Sequence, residues 1–369
     1  MSNSPKLRIL TQNMFMRPPL IKNNKSDWKD ERLDYFIDNI LTNYDVVCLQ
    51  EMFEFASSRR SRLFAAAEKL GFKFYVSSER QYPWNLAIDG GLVILSRYPV
   101  VVSDSFEYQR GIGPDWMAKK GVMYAKIAIS KEGADGGAAA KLATTHVHVF
   151  TTHTQASYGE VVITQPDVKR RLAQLHEFHN FLERTLPKHR ATGEAVVLCG
   201  DFNVDSRDHV LSDPANIKYE REMEDGVEQS DEGKAMMAIL EGRGIDPKVL
   251  GPDNTDEFRG KTVYELHDAL YERLGYHPVT FGNTVVDDKG GVFPRETVLT
   301  TKLDSEVMHS IDYVLWHNPD SKDQKSSIVA QLVDVGVAPN FTPGREFTQI
   351  SDHYGVVAEI AFTFPQNSV

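Results

Sequence analysis

Ten short apolar runs spread along this 369-residue chain constrain its fold more than any other feature. Each run is rich in Val, Ile, Leu or aromatic residues and is bounded by Gly, Pro, Asn or Asp, which is typical of β-strands. The predicted strands cover residues 7–12, 46–50, 72–76, 91–95, 122–129, 146–152, 196–199, 311–316, 328–337 and 354–362. The chain therefore has to build sheets large enough to pair all of them.

Amphipathic helices are predicted between some of these strands, because apolar residues recur there at helical spacing. They cover residues 28–42, 59–70, 165–186 and 263–274, and Gly71 suits the left-handed residue that commonly ends a helix. Strands and helices do not alternate strictly, and several strands are joined by short loops, which requires some antiparallel pairing. We therefore predict an α/β fold of two packed mixed sheets with helices outside.

The chain shows no internal repeat and no clear linker, which favours a single domain over residues 1–369. Residues 131–141, KEGADGGAAAK, are predicted to form a long hairpin loop. Residues 207–260 are polar, acidic and weakly helical, so we predict an insertion at about 207–260 rather than a second domain.

Charge and cysteine content limit the classes of partner and site. The 41 Lys and Arg residues against 52 Asp and Glu residues give a net charge of −11. A field of that sign repels phosphate backbones, so we expect no nucleic acid partner. Cys48 and Cys199 each lie inside an apolar run, which predicts buried core residues rather than a disulfide framework or a zinc site.

Several predicted strands end or begin abruptly at a polar residue. These residues are Asn13, Glu51, His153, Asp201, Asn203, Asp312, Asp352 and His353. Because the ends of some strands lie beside the beginnings of others in an antiparallel sheet, all of them could meet at one rim. Taken singly, each also has a structural explanation as a turn former, a helix cap or a structural histidine.

Taken together, these residues predict a metal site with hydrolytic chemistry. Buried carboxylates at one rim repel each other unless a cation lies among them, and oxygen ligands without thiolates indicate Mg²⁺ or Mn²⁺. Glu51 with Asn13 satisfies the few protein ligands that Mg²⁺ takes. His353, oriented by Asp312 or Asp201, could take a proton from water, and His153 could donate to phosphoryl oxygens. The pattern therefore predicts metal-assisted phosphodiester hydrolysis.

The ordered set Asn13, LQE (49–51), GDFN (200–203), SIDY (310–313) and SDH (351–353) resembles the endonuclease/exonuclease/phosphatase superfamily that includes DNase I. The resemblance runs from residue 7 to residue 362 in the order that the family shows. It implies a DNase I-like four-layer α/β sandwich, in which two packed mixed β-sheets are flanked by helices.

Three further stretches are similar to those of neutral sphingomyelinases: FTTHTQASY (150–158), DWMAKKGVMYAKI (115–127) and GGLVILSRYPV (90–100). This resemblance implies Mg²⁺-dependent hydrolysis of sphingomyelin to ceramide and phosphocholine. It assigns Glu51, Asn13 and Asp352 to the metal site, Asp201 and His353 to water activation, His153 and Asn203 to the phosphate, and Asp312 to the orientation of His353.

The same resemblance adds one expectation and removes another. Asp115 and Lys120 have the spacing of an Asp/Lys pair that acts as a conformational switch in animal neutral sphingomyelinases, and Lys120 could reach a phosphate as a point charge. The alternative is a solvated basic turn. Secreted bacterial relatives carry an Asn and a second metal ion near the position of Phe55, so we expect no edge metal here.

Sphingomyelin stays in the bilayer, so the chain needs a surface that reaches the membrane. Trp84 in QYPWN and Trp116 in FEYQRGIGPDW are predicted to contact the membrane, because amphipathic rings suit the bilayer interface. Anionic lipids are further possible partners. Core packing is the alternative explanation for either ring.

Two other enzymes with the same centre remain as alternatives, a DNase-like nuclease and a phosphoinositide phosphatase. A more remote alternative is a catalytically inactive lipid-binding protein. The amino-terminal residues MSNSPKLRILTQN lack an apolar segment typical of a secretion signal, which predicts a cytoplasmic or peripheral membrane protein. Secretion stays open for a chain whose signal has been removed. Headgroup preference, lipid regulation and oligomeric state leave no sequence signal.

Overall fold

The computed structural model describes residues 5–19, 21–22, 26–84, 87–130, 143–157, 164–207, 229–245, 258–286, 288–289, 292–300, 307–317 and 328–364. The described strands, in chain order from β1 to β16, are Lys6–Asn13, Val46–Gln50, Phe74–Ser77, Val93–Ser96, Val100–Glu107, Gly121–Ser130, Thr144–His153, Ala195–Asp201, His267–Asp268, Phe281–Gly282, Thr284–Val286, Val292–Pro294, Met308–His309, Asp312–His317, Val329–Ala338 and Gly355–Thr363. The α-helices, α1 to α5, are Lys29–Tyr35, Arg59–Lys69, Pro166–His189, Asp231–Leu240 and Ala269–Leu274.

Two six-stranded mixed sheets form the centre of the molecule. The first has the strand order β15-β16-β1-β2-β4-β3, and the second has the order β5-β6-β7-β8-β14-β9. Parallel pairs lie in the middle of each sheet, β1 with β2 and β7 with β8, and the pairs around them are antiparallel. The apolar run Val46–Gln50 is buried along its whole length, as expected for a central strand covered on both faces.

Three apolar cores define four layers. The first core lies between the two sheets and contains residues such as Ile9, Cys48, Val149 and Val197. Helices α1 and α2 pack on the outer face of the first sheet, and α3 and α4 pack on the outer face of the second. The predicted burial of both cysteines is confirmed, and they are in contact across the inter-sheet core.

Each predicted strand is present to within two residues at either end. Strand β5 was missed because it is an edge strand with mostly exposed or half-exposed residues, so it lacks a continuous apolar pattern. The short strands β9 to β13 lie in segments without a sustained apolar run. The loop predicted at 131–141 lies outside the described residues, but β6 and β7 on either side of it pair antiparallel, as a hairpin requires.

The helices largely follow the predicted pattern, with one correction. The predicted helix at 28–42 is α1 continued by a π-helical turn, Phe36–Ile40, and a short 3₁₀ turn, Leu41–Asn43. The helix predicted at 263–274 is wrong in its first half, because it begins at Ala269. Residues His267–Asp268 pair with β14 instead, and the Asp268 side chain accepts a hydrogen bond from the Tyr271 amide as an N-cap.

Part of the insertion predicted at 207–260 can be placed. Residues 208–228 and 246–257 lie outside the described residues. Helix α4 belongs to the remaining part, and Met236, Ile239 and Leu240 pack in the same apolar core as Phe178 of α3. Among the described residues, no helix is both long enough and apolar enough to cross a membrane.

Substitution of Gly200 in β8 tests how closely the backbones of β7 and β8 approach each other near the ends of these strands. Its φ of +133° is rarely adopted by other residues, and an added Cβ would lie 2.3 Å from the Thr152 carbonyl oxygen. Gly200→Ala should therefore lower the free energy of unfolding by about 2 kcal/mol or more, as measured by urea unfolding. Gly336→Ala in β15 is the control, because the new Cβ meets no atom within 4 Å. A Gly200→Ala variant as stable as this control would contradict the close approach.

Candidate active site

The polar strand ends converge at one edge of both sheets, as the sequence pattern predicts. Strands β1 and β2 run parallel and end at Asn13 and just before Glu51. Strands β7 and β8 also run parallel, and their last residues, His153 and Asp201, pair with each other. Strand β14 runs antiparallel to β8 and begins at Asp312, opposite Asp201. The segment that carries Asp352 and His353 leads into β16, antiparallel to β1.

Asp201 lies at the junction of the two sheets and contacts three polar side chains. Asn13 Nδ2 of the first sheet donates to Asp201 Oδ2 at 2.9 Å. The Nε2 atoms of His153 and His353 lie 3.4 and 3.8 Å from the same oxygen. His353 Nδ1 lies 2.8 Å from Asp312 Oδ2, so an ionised Asp312 fixes Nδ1 as the protonated nitrogen. These contacts form one continuous polar row.

Burial and neighbouring charges set the protonation states within this row. Burial alone would lower the pKa of His353, but the carboxylates of Asp312 and Asp201 outweigh it and raise the pKa to about 10. Burial raises the pKa of Asp201, although His353 opposes the shift. The pKa of His153 lies well below its usual value because of burial and the nearby Lys120 cation. At neutral pH, His353 therefore carries a proton and His153 is neutral, and the Asp201 carboxylate lies next to the Nε2 atoms of both imidazoles.

Side chains of neighbouring segments hold the Asp312–His353 part of this row in place. The Thr280 hydroxyl accepts hydrogen bonds from the amides of Ile311 and Asp312, which fixes the start of β14. Gln12 Nε2 donates to the carbonyl oxygen of His353 at 3.1 Å. The Phe281 ring packs against the His353 imidazole, with ring centroids 4.8 Å apart. Both ends of the Asp312–His353 pair are thus anchored to neighbouring segments.

Glu51 is the carboxylate of the rim whose charge is least compensated. The residue as a whole is partly exposed, but its Oε2 atom is buried and has no hydrogen-bond partner among the described residues. Burial raises its pKa, while the more distant charges of Lys120, Arg17 and His353 oppose the shift. Its φ of +54° is strained for a residue other than glycine. Burial also raises the pKa of Asp352 to about 6.

These properties fit a hard divalent cation next to Glu51. A buried carboxylate oxygen without a donor requires a positive charge to be stable in its ionised form. Asn13 Oδ1 accepts one hydrogen bond, from the Phe15 amide, and keeps one lone pair for a ligand. Asp201, Asp312 and His353 also bring ligand atoms within 4.8 Å of one another. Asp312 Oδ1 also lacks a hydrogen-bond partner among the described residues, but Asp312 Oδ2 already pairs with His353, so Glu51 is the better anchor for a metal.

The phosphate-binding candidates border this row. Asn203 Nδ2 donates to the Thr154 carbonyl oxygen at 3.1 Å, and Lys120 Nζ donates to the same oxygen at 2.7 Å. Lys120 also forms a 2.8 Å ion pair with Asp115, which accepts a hydrogen bond from the Ala156 amide. Lys120 is buried, so the alternative of a solvated basic turn is wrong. The Asp115–Lys120 pair is joined directly to the segment that follows His153.

The two tryptophans predicted to contact a membrane lie outside the polar row. Trp84 is 86% exposed and Trp116 is 66% exposed, so core packing does not explain them. Backbone hydrogen bonds from the Ile88 amide to Met117 and from the Lys119 amide to Ile88 join their two loops. We call the exposed residues of these joined loops, Trp84, Trp116 and Met117, the tryptophan surface.

Two supporting glutamines were missed in the sequence. Gln12 and Gln50 directly precede Asn13 and Glu51, and both are buried. Gln50 Nε2 donates to Thr11 Oγ1 and to Thr151 Oγ1, which links the two sheets below the rim. The sequence does contain a signal for these glutamines, because each of the two apolar runs is followed by at least two polar residues rather than one. A single polar residue would suffice to end a strand, so the second points to a buried polar layer.

Comparison with known proteins assigns this arrangement to a family. The model of the Endonuclease/Exonuclease/phosphatase family matches residues 10–353. The chain is 27% identical to a sphingomyelinase of Dictyostelium discoideum, over 95% of this chain and 97% of that protein.

Solved structures confirm the DNase I-like four-layer fold. Sphingomyelinase C from Streptomyces griseocarneus superposes with a TM-score of 0.57 and 21% identity, covering 96% of this chain and 99% of that one. A beta toxin mutant from Staphylococcus aureus with bound magnesium ions gives a TM-score of 0.53 and 18% identity, covering 98% of this chain and all of that chain (100%). At these identities, the likeness concerns the fold.

The uncompensated carboxylate of Glu51 leads to a prediction about stability. Glu51→Gln removes a buried charge, so in EDTA the variant should be more stable than the wild type by roughly 1 kcal/mol. Mg²⁺ at a hundred times its dissociation constant should stabilise the wild type by about 2.7 kcal/mol and the variant much less, as measured by thermal unfolding. Exposed Glu68→Gln is the control and should behave as the wild type. Equal Mg²⁺ stabilisation of Glu51→Gln and wild type would remove Glu51 from the metal site.

Proposed function

This chain belongs to the endonuclease/exonuclease/phosphatase family, and we propose on that premise that it is a Mg²⁺-dependent phosphodiesterase that hydrolyses sphingomyelin to ceramide and phosphocholine. The observation that carries the reaction type is the row Asp312–His353–Asp201 next to the unpaired oxygen of Glu51. The choice of lipid is supported by the similarity to a sphingomyelinase along nearly the whole chain.

The proposed metal site consists of Glu51, Asn13 and Asp352. Mg²⁺ suits their oxygen atoms, and Mn²⁺ would be accepted by the same ligands. A related fold with bound magnesium ions supports this choice. When bound, the ion would neutralise charge on a phosphoryl oxygen and stabilise the leaving alkoxide.

Asp201 and His353 act as a pair on the attacking water. Because His353 is held protonated by its two neighbouring carboxylates, Asp201 is the acceptor available in the free protein. Asp312 keeps the imidazole oriented through Nδ1, so that Nε2 points toward Asp201. A proton taken from water therefore stays within a chain of three side chains that can share it.

The phosphate is bound by donors on the other side of Asp201. Neutral His153 can donate from Nε2, which lies 3.4 Å from the Asp201 carboxylate. Asn203 lies next to it, and its amide donates to the Thr154 carbonyl in the absence of a phosphate. Lys120 adds a buried positive charge, and Asp115 holds that charge near the segment that follows His153. Such donors stabilise the charge that develops on phosphoryl oxygens.

The central experiment measures phosphocholine release from sphingomyelin micelles with Mg²⁺ and with EDTA. Activity should require Mg²⁺ and should be lost in Glu51→Ala. In His353→Ala it should fall by about 10²- to 10⁴-fold, the range typical of a residue that handles the proton. His267→Ala is the matched control, because His267 lies in β9 with a partly exposed side chain that hydrogen-bonds to Glu272. This variant should keep wild-type activity.

A parallel panel of substrates separates the proposal from its alternatives. Hydrolysis of plasmid DNA, phosphoinositides and phosphatidylcholine is measured under the same conditions. Mg²⁺-dependent cleavage of DNA or phosphoinositides, with sphingomyelin left intact, would keep the metal centre and overturn the lipid assignment. Near-full activity of His353→Ala with unchanged Mg²⁺ dependence would overturn the proposed mechanism.

The tryptophan surface is proposed to bring the enzyme to its membrane-bound substrate. Indole rings partition into the bilayer interface, and the surface contains two of them on hydrogen-bonded loops. Arg110 and Lys119 lie on the same loop segment, whereas the whole chain carries a net charge of −11. Both cations form ion pairs with Glu107, so the indole rings, rather than charge, carry the proposed membrane contact. We therefore propose a peripheral membrane location.

Loss of both rings should separate membrane binding from chemistry. The double variant Trp84→Ala/Trp116→Ala should bind sphingomyelin vesicles about tenfold or more weakly, because each ring removes a large apolar area from water. Its cleavage of a soluble phosphodiester should stay at the wild-type level. Val263→Ala, at another exposed apolar position, is the control for vesicle sedimentation. Equal losses on vesicles and on the soluble diester would contradict the membrane role.

A further inference from the structure

A buried arginine lies between two carboxylates close to the turn that carries Glu51. Arg60 of α2 is 1% exposed. Its Nε donates to Glu54 Oε2 at 3.0 Å, and its Nη1 donates to Asp89 Oδ1 at 3.1 Å. A buried guanidinium needs such partners, because an unpaired charge is unstable away from water. The planar fork of arginine lets one cation bind both carboxylates at once.

The same carboxylate network connects two turns of the first sheet. Asp89 Oδ2 accepts from the Glu54 amide at 2.8 Å, and Asp89 Oδ1 accepts from the Gly91 amide at 2.9 Å. The Met52 amide then donates to the Gly91 carbonyl oxygen at 2.9 Å. The segment after β2 is therefore tied to the segment before β4. Arg60 supplies the positive charge that this network requires.

Glu51 directly precedes Met52, one of the tied residues, and its backbone conformation needs support. Its φ of +54° is in the left-handed region, and such a residue persists only where its surroundings determine the backbone. Gly91 packs directly on it, because a Cβ added to Gly91 would lie 3.1 Å from Glu51 Cα. Any loosening of the segment 89–91 would let the Glu51 backbone relax. Its carboxylate would then turn away from its present direction.

We propose that Arg60 is a positioning residue for the metal site: through Asp89 and Glu54 it holds the turn at Glu51, and so sets the affinity for the divalent cation. The inference rests on the proposed role of Glu51 as a metal ligand. The residue added to the proposed metal site is Arg60, to which neither the motif pattern nor the family resemblance assigns a role. Supporting residues behind metal ligands typically change metal affinity by about 10- to 100-fold when they are altered.

The test measures binding of Mn²⁺ to the full chain by electron paramagnetic resonance, without any substrate. Arg60→Lys keeps the charge, but its ammonium group lacks the planar fork that bridges Glu54 and Asp89. We expect it to bind Mn²⁺ about 10- to 100-fold more weakly than the wild type. Asp89→Asn, which keeps the shape of the side chain and removes its charge, should change the affinity in the same direction.

A matched arginine controls for general destabilisation. Arg97 follows β4 at the opposite end of the same strand pair, where its Nε donates to the Tyr44 carbonyl oxygen at 2.9 Å and its Nη1 donates to the Leu70 carbonyl oxygen. Arg97→Ala should lower the unfolding temperature without changing Mn²⁺ affinity, when binding is measured well below that temperature. A purely structural role for Arg60 would make the two arginines behave alike.

Each outcome has a separate meaning. Folded Arg60→Lys and Asp89→Asn variants with wild-type Mn²⁺ affinity would overturn the inference, as would an equal loss in Arg97→Ala. If only one of the two variants folds, its affinity decides in the same way; if neither folds while Arg97→Ala does, Arg60 is a folding residue and the inference fails. A wild-type chain that binds Mn²⁺ and leaves sphingomyelin intact would contradict the proposed substrate alone.

Discussion

The carboxylate of Asp201 is the interaction on which the rest of the site depends. It receives a hydrogen bond from Asn13 of the opposite sheet and lies within 4 Å of two imidazoles. Because Asp201 and these three partners come from four different strands or strand ends, their positions agree only when the two sheets pack in one register. The inter-sheet core and the polar row therefore stabilise each other. A shift of one strand by one residue would turn its rim side chain to the other face of the sheet.

Charge compensation explains why the rim combines acidic side chains with imidazole, ammonium and guanidinium groups. Three carboxylates around His353 raise its pKa, so the imidazole acts as the internal cation of the row. Lys120 is the corresponding cation beside His153, where it pairs with Asp115. Arg60 is the cation between Glu54 and Asp89. Glu51 Oε2 and Asp312 Oδ1 are buried at the rim without a hydrogen-bond partner among the described residues, but only Asp312 also pairs with His353. Within the rim, Asp312 and Asp201 thus face the imidazolium of His353, whereas Glu51, the residue proposed to bind the metal ion, has no such neighbour in contact among the described residues.

Much of this arrangement could be predicted from sequence because strand ends are local signals. An apolar run that stops at Asp201 or His153 shows both where the strand ends and which side chain lies there. The supporting contacts could not be predicted in this way. Arg60 and Asp89 are 29 residues apart, and nothing in α2 distinguishes Arg60 from its exposed neighbours. The left-handed backbone at Glu51 has no residue signal either, whereas the equivalent conformation at Asn203 suits asparagine.

The orientation of β6 and β7 has a practical consequence. Strand β7 ends at the rim with His153, so its first residue, Thr144, and the last residue of β6, Ser130, lie at the far end of the second sheet. An affinity tag or fluorophore introduced between these two positions would be attached at the edge opposite to the polar row. A chain coupled to a solid support at this point would present its rim and the proposed metal site outward, toward vesicles supplied in solution.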